Sequence, residues 1–418
     1  MSWSLLLRFE RWRRASLWLV PLLCAVGAWL LLRATVSAEP VLRLPADLVF
    51  DEASAVQLLA AAVSALFTLL GIVLAFTMLV VQLAMAQLSP RLVGFWYQDR
   101  HLKAALGIVV GSLVYSLLLL ARVRPGFVPE VSMLVATALL LVSIGAFLSF
   151  VQHVGQTVRP DHVADRIVVV GLRMVARCLA GTEAEEGPAL AVESEPRRAV
   201  RYRGRRGILQ AIDSRRLVQD ARRLGVRVVL LAAVGDYLGP GDRVAIAYGL
   251  PSRAAGELDL DRRLLVGLGR LPYQDVLLSL RLLVDMAIRA LSPAVNDPTT
   301  AVEMLERIGR LLAAMGQRRL GGRWLTDADG EPRVFLAVPT WEDALALGVR
   351  EIAEYSAGGP QVRRRLRALL HELEGELPPS RHPALERHLQ ALDEEPLARE
   401  AALAEDRQGF GPSRPGLS

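Results

Sequence analysis

Lysine is almost missing from this chain. Of 49 basic residues only Lys103 is a lysine, so a Schiff base, a lipoyl or biotinyl attachment and a phosphate-loop lysine are excluded everywhere else. Cysteine is scarce too. Cys24 lies in an apolar stretch and Cys178 far downstream, with no Cys-x-x-Cys pair, so neither a disulfide framework nor a thiolate metal cluster is built. A third absence concerns charge: four long apolar segments carry no Asp, Glu, Lys, Arg or His in their cores. Proteins that drive ions or protons keep such groups at mid-membrane despite their cost, so an ion-coupled pump is disfavoured. No nucleophile–base pair, metal-ligand cluster or phosphate loop stands behind an enzyme, and no cofactor is implied.

What is present is hydrophobic. The 418 residues are 52% hydrophobic, with a mean hydropathy of +0.33, enough for a membrane domain plus soluble parts. In that setting the net charge of +6 reads as attraction to anionic lipid and control of topology. Nucleic acid would need a basic stripe with aromatic or groove-reading partners, and none is visible.

Residues 54–87 run without one ionisable side chain, where about 20 residues would cross a bilayer. Ser64, Thr68, Gly71, Ala75 and Gln82 share one face of this segment at the helical period. A small and polar stripe of this kind either packs against a neighbouring helix or lines a pore, most simply in a homo-oligomer.

Three further segments, 15–33, 104–121 and 131–152, complete a transmembrane domain over 1–153. The first follows Arg8, Arg11, Arg13 and Arg14 and resembles a signal peptide with Val36-Ser37-Ala38 as a cleavage site. It exceeds the usual signal core in length, and Trp18 and Trp29 suit interfaces, so we read it as retained. Gly107 and Gly111 form a GxxxG face on the third. Arg91, Arg100 and Arg159 join the N-terminal arginines near one set of helix ends, against Arg33, Arg43, Arg122 and Arg124 at the other. That bias puts both termini in the cytoplasm of a cell bounded by an inner membrane. Residues 88–103, with Phe95, Trp96 and Tyr97 among basic residues, read as a collar at the lipid interface.

From 154 to 377 the pattern is that of a cytosolic α+β domain containing a small β-barrel or sandwich-like part; 378–418 adds a C-terminal helix and a tail. Helices are expected at 161–180, after Asp213, at 273–290, from Pro298 to about Met315 and over 342–376. Asp327-Ala-Asp-Gly330 reads as a hairpin turn between two strands. The Gly-Asp-Tyr-Leu-Gly-Pro-Gly-Asp run at 235–242 is similar to the turn of lipoyl-type half barrels, though the modified lysine is missing.

His153, Asp161, His162 and Asp165 do not offer three metal ligands on one face, and no metal site is expected. Asn296 or Asp297 can cap a helix whose first residue is Pro298. Asp285 and Arg289 are spaced to pair on one helix face. A functional alternative gathers Gln274, Asp275, Asp285, Asn296 and Asp297 around a small polar ligand or a cation.

Three stretches together, QLAMAQLSPRLVGFWYQDR at 82–100, GILQAID at 207–213 and RALSPAVNDPTTA at 289–301, resemble the signatures of a bacterial family of predicted inner-membrane proteins with a domain of unknown function. The resemblance spans about 5–375. It implies four membrane helices and a cytosolic domain, and brings no established activity. Two functions follow as expectations: a membrane-anchored regulatory or scaffold protein with a ligand- or partner-binding domain, or a homo-oligomeric passive channel lined by the second helix.

Overall fold

The computed structural model describes residues 13, 16–40, 51–87, 99–125, 127–157, 159–179, 197–250, 258–356 and 359–394. They fall into two compact units, Met1–Val163 and Ala164–Ser418. The interfacial collar around Phe95, Trp96 and Tyr97, the N-terminal arginines up to Arg11 and the C-terminal tail lie outside the described residues.

The first unit holds α1 (Leu19–Ala38), α2 (Glu52–Gln87), α3 (Arg100–Leu120) and α4 (Glu130–Thr157). Each is long and apolar enough to cross a membrane. The first begins and ends a few residues later than the hydropathy pattern predicts; at its far end Thr35 and Glu39 are held by polar contacts with α3 and α4. The central helix is α3: 61% of its apolar window is buried, against 17–22% for the other three. Its Gly107–Gly111 face meets α1 at Cys24, so close that a Cβ on Gly107 would fall 2.8 Å from the Cys24 sulfur. Small residues permit this approach in a solvent where lipid tails compete equally for apolar surface.

Several polar groups in this unit pair with one another, as a membrane favours, although the buried Ser116 hydroxyl has no partner among the described residues. Glu39 Oε1 accepts from the Ser132 backbone N–H at 2.9 Å and from its hydroxyl at 3.0 Å. Val131 N–H donates to Glu39 Oε2 at 3.2 Å, so one helix's end caps the start of α4. Thr35 and Tyr115 share a hydrogen bond of 2.9 Å beside it. Deeper, Ser143 donates to Ser112 at 2.9 Å. At the other end of α3, Asp99 accepts from the N–H of His101 at 2.7 Å. It meets His153 Nε2 at 3.0 Å, and the two imidazoles stack with centroids 4.0 Å apart.

In the second unit α5 (Pro160–Cys178) is followed by β1 (Arg197–Arg201), β2 (Gly207–Ile212), α6 (Ser214–Leu224), β3 (Arg227–Leu230), β4 (Tyr237–Leu238), β5 (Arg243–Tyr248) and β6 (Leu264–Gly267). Then come α7 (Leu278–Leu291), α8 (Pro298–Gly316), β7 (Arg323–Thr326), β8 (Pro332–Leu336), α9 (Trp341–Tyr355) and α10 (Pro360–Glu376); 382–394 is also helical. The strands form two open sheets and, among the described residues, no closed barrel. One has the order β1-β5-β3-β8-β7 and the other β4-β2-β6. Only β3 and β8 run parallel; the remaining pairs are antiparallel. Leu209 and Ile212 of one sheet, Val228, Val244 and Val334 of the other, and Leu217 and Ala221 of α6 share a single buried core. The 235–242 run carries the chain from one sheet to the other, with β4 inside it. At Asp327–Gly330 the β7–β8 hairpin turns as read from the sequence.

Two helix readings need correction. Residues 342–376 form two helices, because Gly359 and Pro360 start a new one and Pro360 cannot continue the last. The helix anticipated from 273 starts at Leu278 instead. Gln274 and Asp275 are drawn off it: Gln274 brackets Ile212 of β2, and Asp275 pairs with Arg270.

The helical layer is tied by buried apolar side chains and by arginines. Arg281 of α7 binds Asp285 at 2.7 Å and reaches Glu351 on α9. Arg307 of α8 holds Asp165 of α5 at 2.9 Å. Arg381 donates to the carbonyl of Arg318 at 3.0 Å, past the end of α8, and lies over the Trp341 ring.

Candidate functional site

The polar residues singled out in the sequence occupy four separate sets of partners. Gln274 accepts from the Ile212 N–H at 2.9 Å and donates to its carbonyl at 3.1 Å, a bracket on the edge of β2. Asp275 is buried and takes both arms of Arg270, at 2.6 and 2.7 Å. Burial pushes its carboxyl above the usual range, and the Arg270 guanidinium acts against that rise. Asp285 faces Arg281. Asp297 is the cap of α8, accepting from the Thr300 N–H at 3.0 Å and hydroxyl at 2.6 Å. Asn296, at φ 48°, makes the left-handed turn before it. His153 and Asp165, weighed above as metal ligands, are engaged by Asp99 and Arg307 respectively.

The stripe on α2 faces away from the chain's own bundle. Ser64, Thr68, Gly71, Ala75 and Gln82 are all exposed, and a Cβ added at Gly71 would meet nothing within 4 Å. Thr68 spends its hydroxyl on the Ser64 carbonyl at 3.0 Å. The helix buries Ala55, Leu59, Ala62, Leu66 and Val73 instead. Phe67, Phe76, Met78 and Leu79 are exposed alongside the stripe, so an apolar surface with small polar residues in it remains for whatever surrounds the bundle.

A site that the sequence did not announce lies between α6 and β7. An open cleft of about 700 Å³ is lined on one wall by Ser214, Arg215, Val218, Gln219 and Arg222, which recur along one face of α6. Its other wall comprises every residue of β7, Arg323 to Thr326, together with Arg319, Asp327 and Ala328. Among the described residues the strand is the last in its sheet. Local chemistry builds each wall. Asp213 caps α6 by accepting from the Arg216 N–H at 3.2 Å, and Gly225, at φ 64°, ends it.

The cleft is basic, and its charges are not equally occupied. Arg222 donates to Asp329 at 2.6 Å, tying the helix to the hairpin turn. Asp327 accepts from Arg333 Nε at 2.8 Å, and that contact holds its carboxyl below the usual range. Arg215 and Arg323 make no hydrogen bond and no ion pair among the described residues, and Arg323 Nε is buried without a partner. Such an arrangement can receive carboxylate or phosphate oxygens on planar guanidinium forks. The arginines of SRRLVQDARRL were visible in the sequence. Their apposition to a strand a hundred residues on was not, because only the tertiary fold brings α6 to β7.

Over residues 14–372 the chain matches the family described as predicted membrane protein (DUF2254). It belongs to that family. Among its relatives are uncharacterized proteins of Mycobacterium tuberculosis, strains CDC 1551 / Oshkosh and ATCC 25618 / H37Rv, and of Mycobacterium bovis. Each is 29% identical over 355 residues, covering 82% of this chain and 68% of the relative. No solved structure matches. DUF2254 membership together with four apolar helices makes this a multi-pass membrane protein followed by an α/β region.

Proposed function

We propose that this protein is a membrane-anchored regulatory or scaffold protein of the inner membrane, without catalytic activity of its own. Its α/β unit, on the cytoplasmic side with both termini, takes an anionic ligand or partner in the cleft between α6 and β7. The observation that carries this reading is the pair of unengaged arginines, Arg215 and Arg323, in an open basic cleft. A buried donor without a partner costs about 1–3 kcal/mol, a cost that an incoming oxyanion removes.

The test uses the full chain in nanodiscs, titrated with polyglutamate, inorganic phosphate and ATP while thermal unfolding is followed. At least one anion should raise the melting temperature, less so at high salt, and Arg215→Ala with Arg323→Ala should abolish the rise. If no anion shifts the transition, the reading is wrong. Orientation is checked separately by a reporter fused after Ser418, which should be active only in its cytoplasmic form.

The outward face of α2 favours a second reading, a homo-oligomeric passive channel with Ser64, Thr68, Gly71, Ala75 and Gln82 toward the symmetry axis. Flux in reconstituted vesicles that changes on Thr68→Val or Gln82→Leu supports it. A monomer with background flux ends it.

A further inference from the structure

We infer that β7 is a docking edge for an acidic, extended peptide segment, which adds to the five-stranded sheet as a sixth strand beside α6. This rests on the reading of the α6–β7 cleft as a binding site and names its occupant. Three observations converge on it. First, among the described residues β7 ends the sheet, and alternate residues of an edge strand direct N–H and C=O outward, ready to pair with another chain.

Second, the cleft follows that edge for its whole length. All four residues of β7 line it, a span of roughly 13 Å at the rise of a strand. The facing stretch of α6 from Ser214 to Arg222 covers about 12 Å at the rise of a helix. A trough walled by an edge strand and a length of helix of similar span suits an extended backbone, with main-chain bonds on one side and side-chain pockets on the other.

Third, the charge selects the guest. Edge strands are commonly protected by inward-pointing charge or a covering element. Here the bordering charges are arginines, of which Arg215 and Arg323 are unengaged. Val218 and Leu325 supply apolar contact between them. Alternating carboxylate and apolar side chains on the guest match that lining. The Arg222–Asp329 pair and the Asp327–Arg333 pair occupy the charges at the turn end of the trough, which leaves Arg215 and Arg323 for the guest.

The experiment measures binding of a short fluorescent peptide of alternating glutamate and valine to the full chain in nanodiscs. Three comparison probes are used: the same peptide N-methylated at alternate residues, its lysine–valine counterpart, and ATP as competitor. The glutamate peptide should bind, its lysine counterpart should not, and N-methylation on the pairing edge should weaken binding about tenfold or more, because strand addition depends on main-chain bonds. Arg215→Ala, on the exposed face of α6, should weaken it while leaving the melting temperature unchanged. Equal binding of the N-methylated peptide, or displacement by ATP with no peptide preference, overturns strand addition and leaves the anionic cleft standing. Failure of every anion to bind removes both.

Discussion

Asp297 shows how a residue with a functional look can be consumed by its own helix. Its carboxylate satisfies the Thr300 N–H and hydroxyl at the start of α8, and those bonds hold its pKa below the ordinary value. Replacement by alanine should therefore cost about 1 kcal/mol of stability. The group's folded-state pKa is depressed, so the stabilisation is complete above the unfolded value near 3.9 and is lost as pH falls through the folded one. Asp297→Asn should keep most of the cap and lose that acid sensitivity, as thermal melts in detergent between neutral and acid pH will show. Cys178 behaves in the opposite sense. Burial raises its thiol above the usual range, and the nearby Arg323 and Arg177 only partly offset this. In a Cys24→Ser background, alkylation at neutral pH should be slow in the folded protein and become fast on denaturation. At this scale the sequence was readable where chemistry is local: the Asp297 cap, Pro298 at the first helical position and the Asp213 cap are all decided within four residues. Gln274 and Asp275 were misplaced onto a helix because their partners, Ile212 and Arg270, belong to other elements.

Among elements, the contact between α1 and α3 is the most exacting in the membrane unit. A Cβ at Gly107 would intrude on Cys24 Sγ at 2.8 Å, and one at Gly111 would press on the Cys24 carbonyl at 3.3 Å. Gly107→Val should destabilise the bundle by about 1–3 kcal/mol, the range for an overfilled core. Adding Cys24→Ala, which removes the obstructing sulfur, should restore part of the loss; thermal denaturation of the single and double variants tests this. Apolar length gave all four membrane helices their place, and the GxxxG spacing pointed to a close contact. It could not say which helix would fill that contact. Nor could hydropathy tell that α3 would be the central helix, since the four segments are similarly apolar and only packing distinguishes them. The stripe on α2 was equally plain as a pattern, yet its outward direction depends on which face the neighbours leave free. For the α6–β7 cleft the sequence offered only the arginine-rich helix.

The whole molecule carries a cost in its order of assembly. Strand β3 is flanked by β5 and β8, and its parallel partner β8 lies a hundred residues later, with β4, β5, β6, α7, α8 and β7 made between them. Until β8 arrives, Val228 and Val229 present an unpaired backbone rim that their final neighbours, Val334 and Phe335, will cover. Long-range pairing of this kind forms slowly and leaves aggregation-prone edges while it waits. Chains truncated just before Pro332 should accordingly aggregate in detergent extracts, whereas chains ending after the 382–394 helix should remain dispersed, as size-exclusion profiles of the two will show. A nascent polypeptide of this design leaves the ribosome with its sheet divided in two, and the late hairpin is the clasp that fastens it.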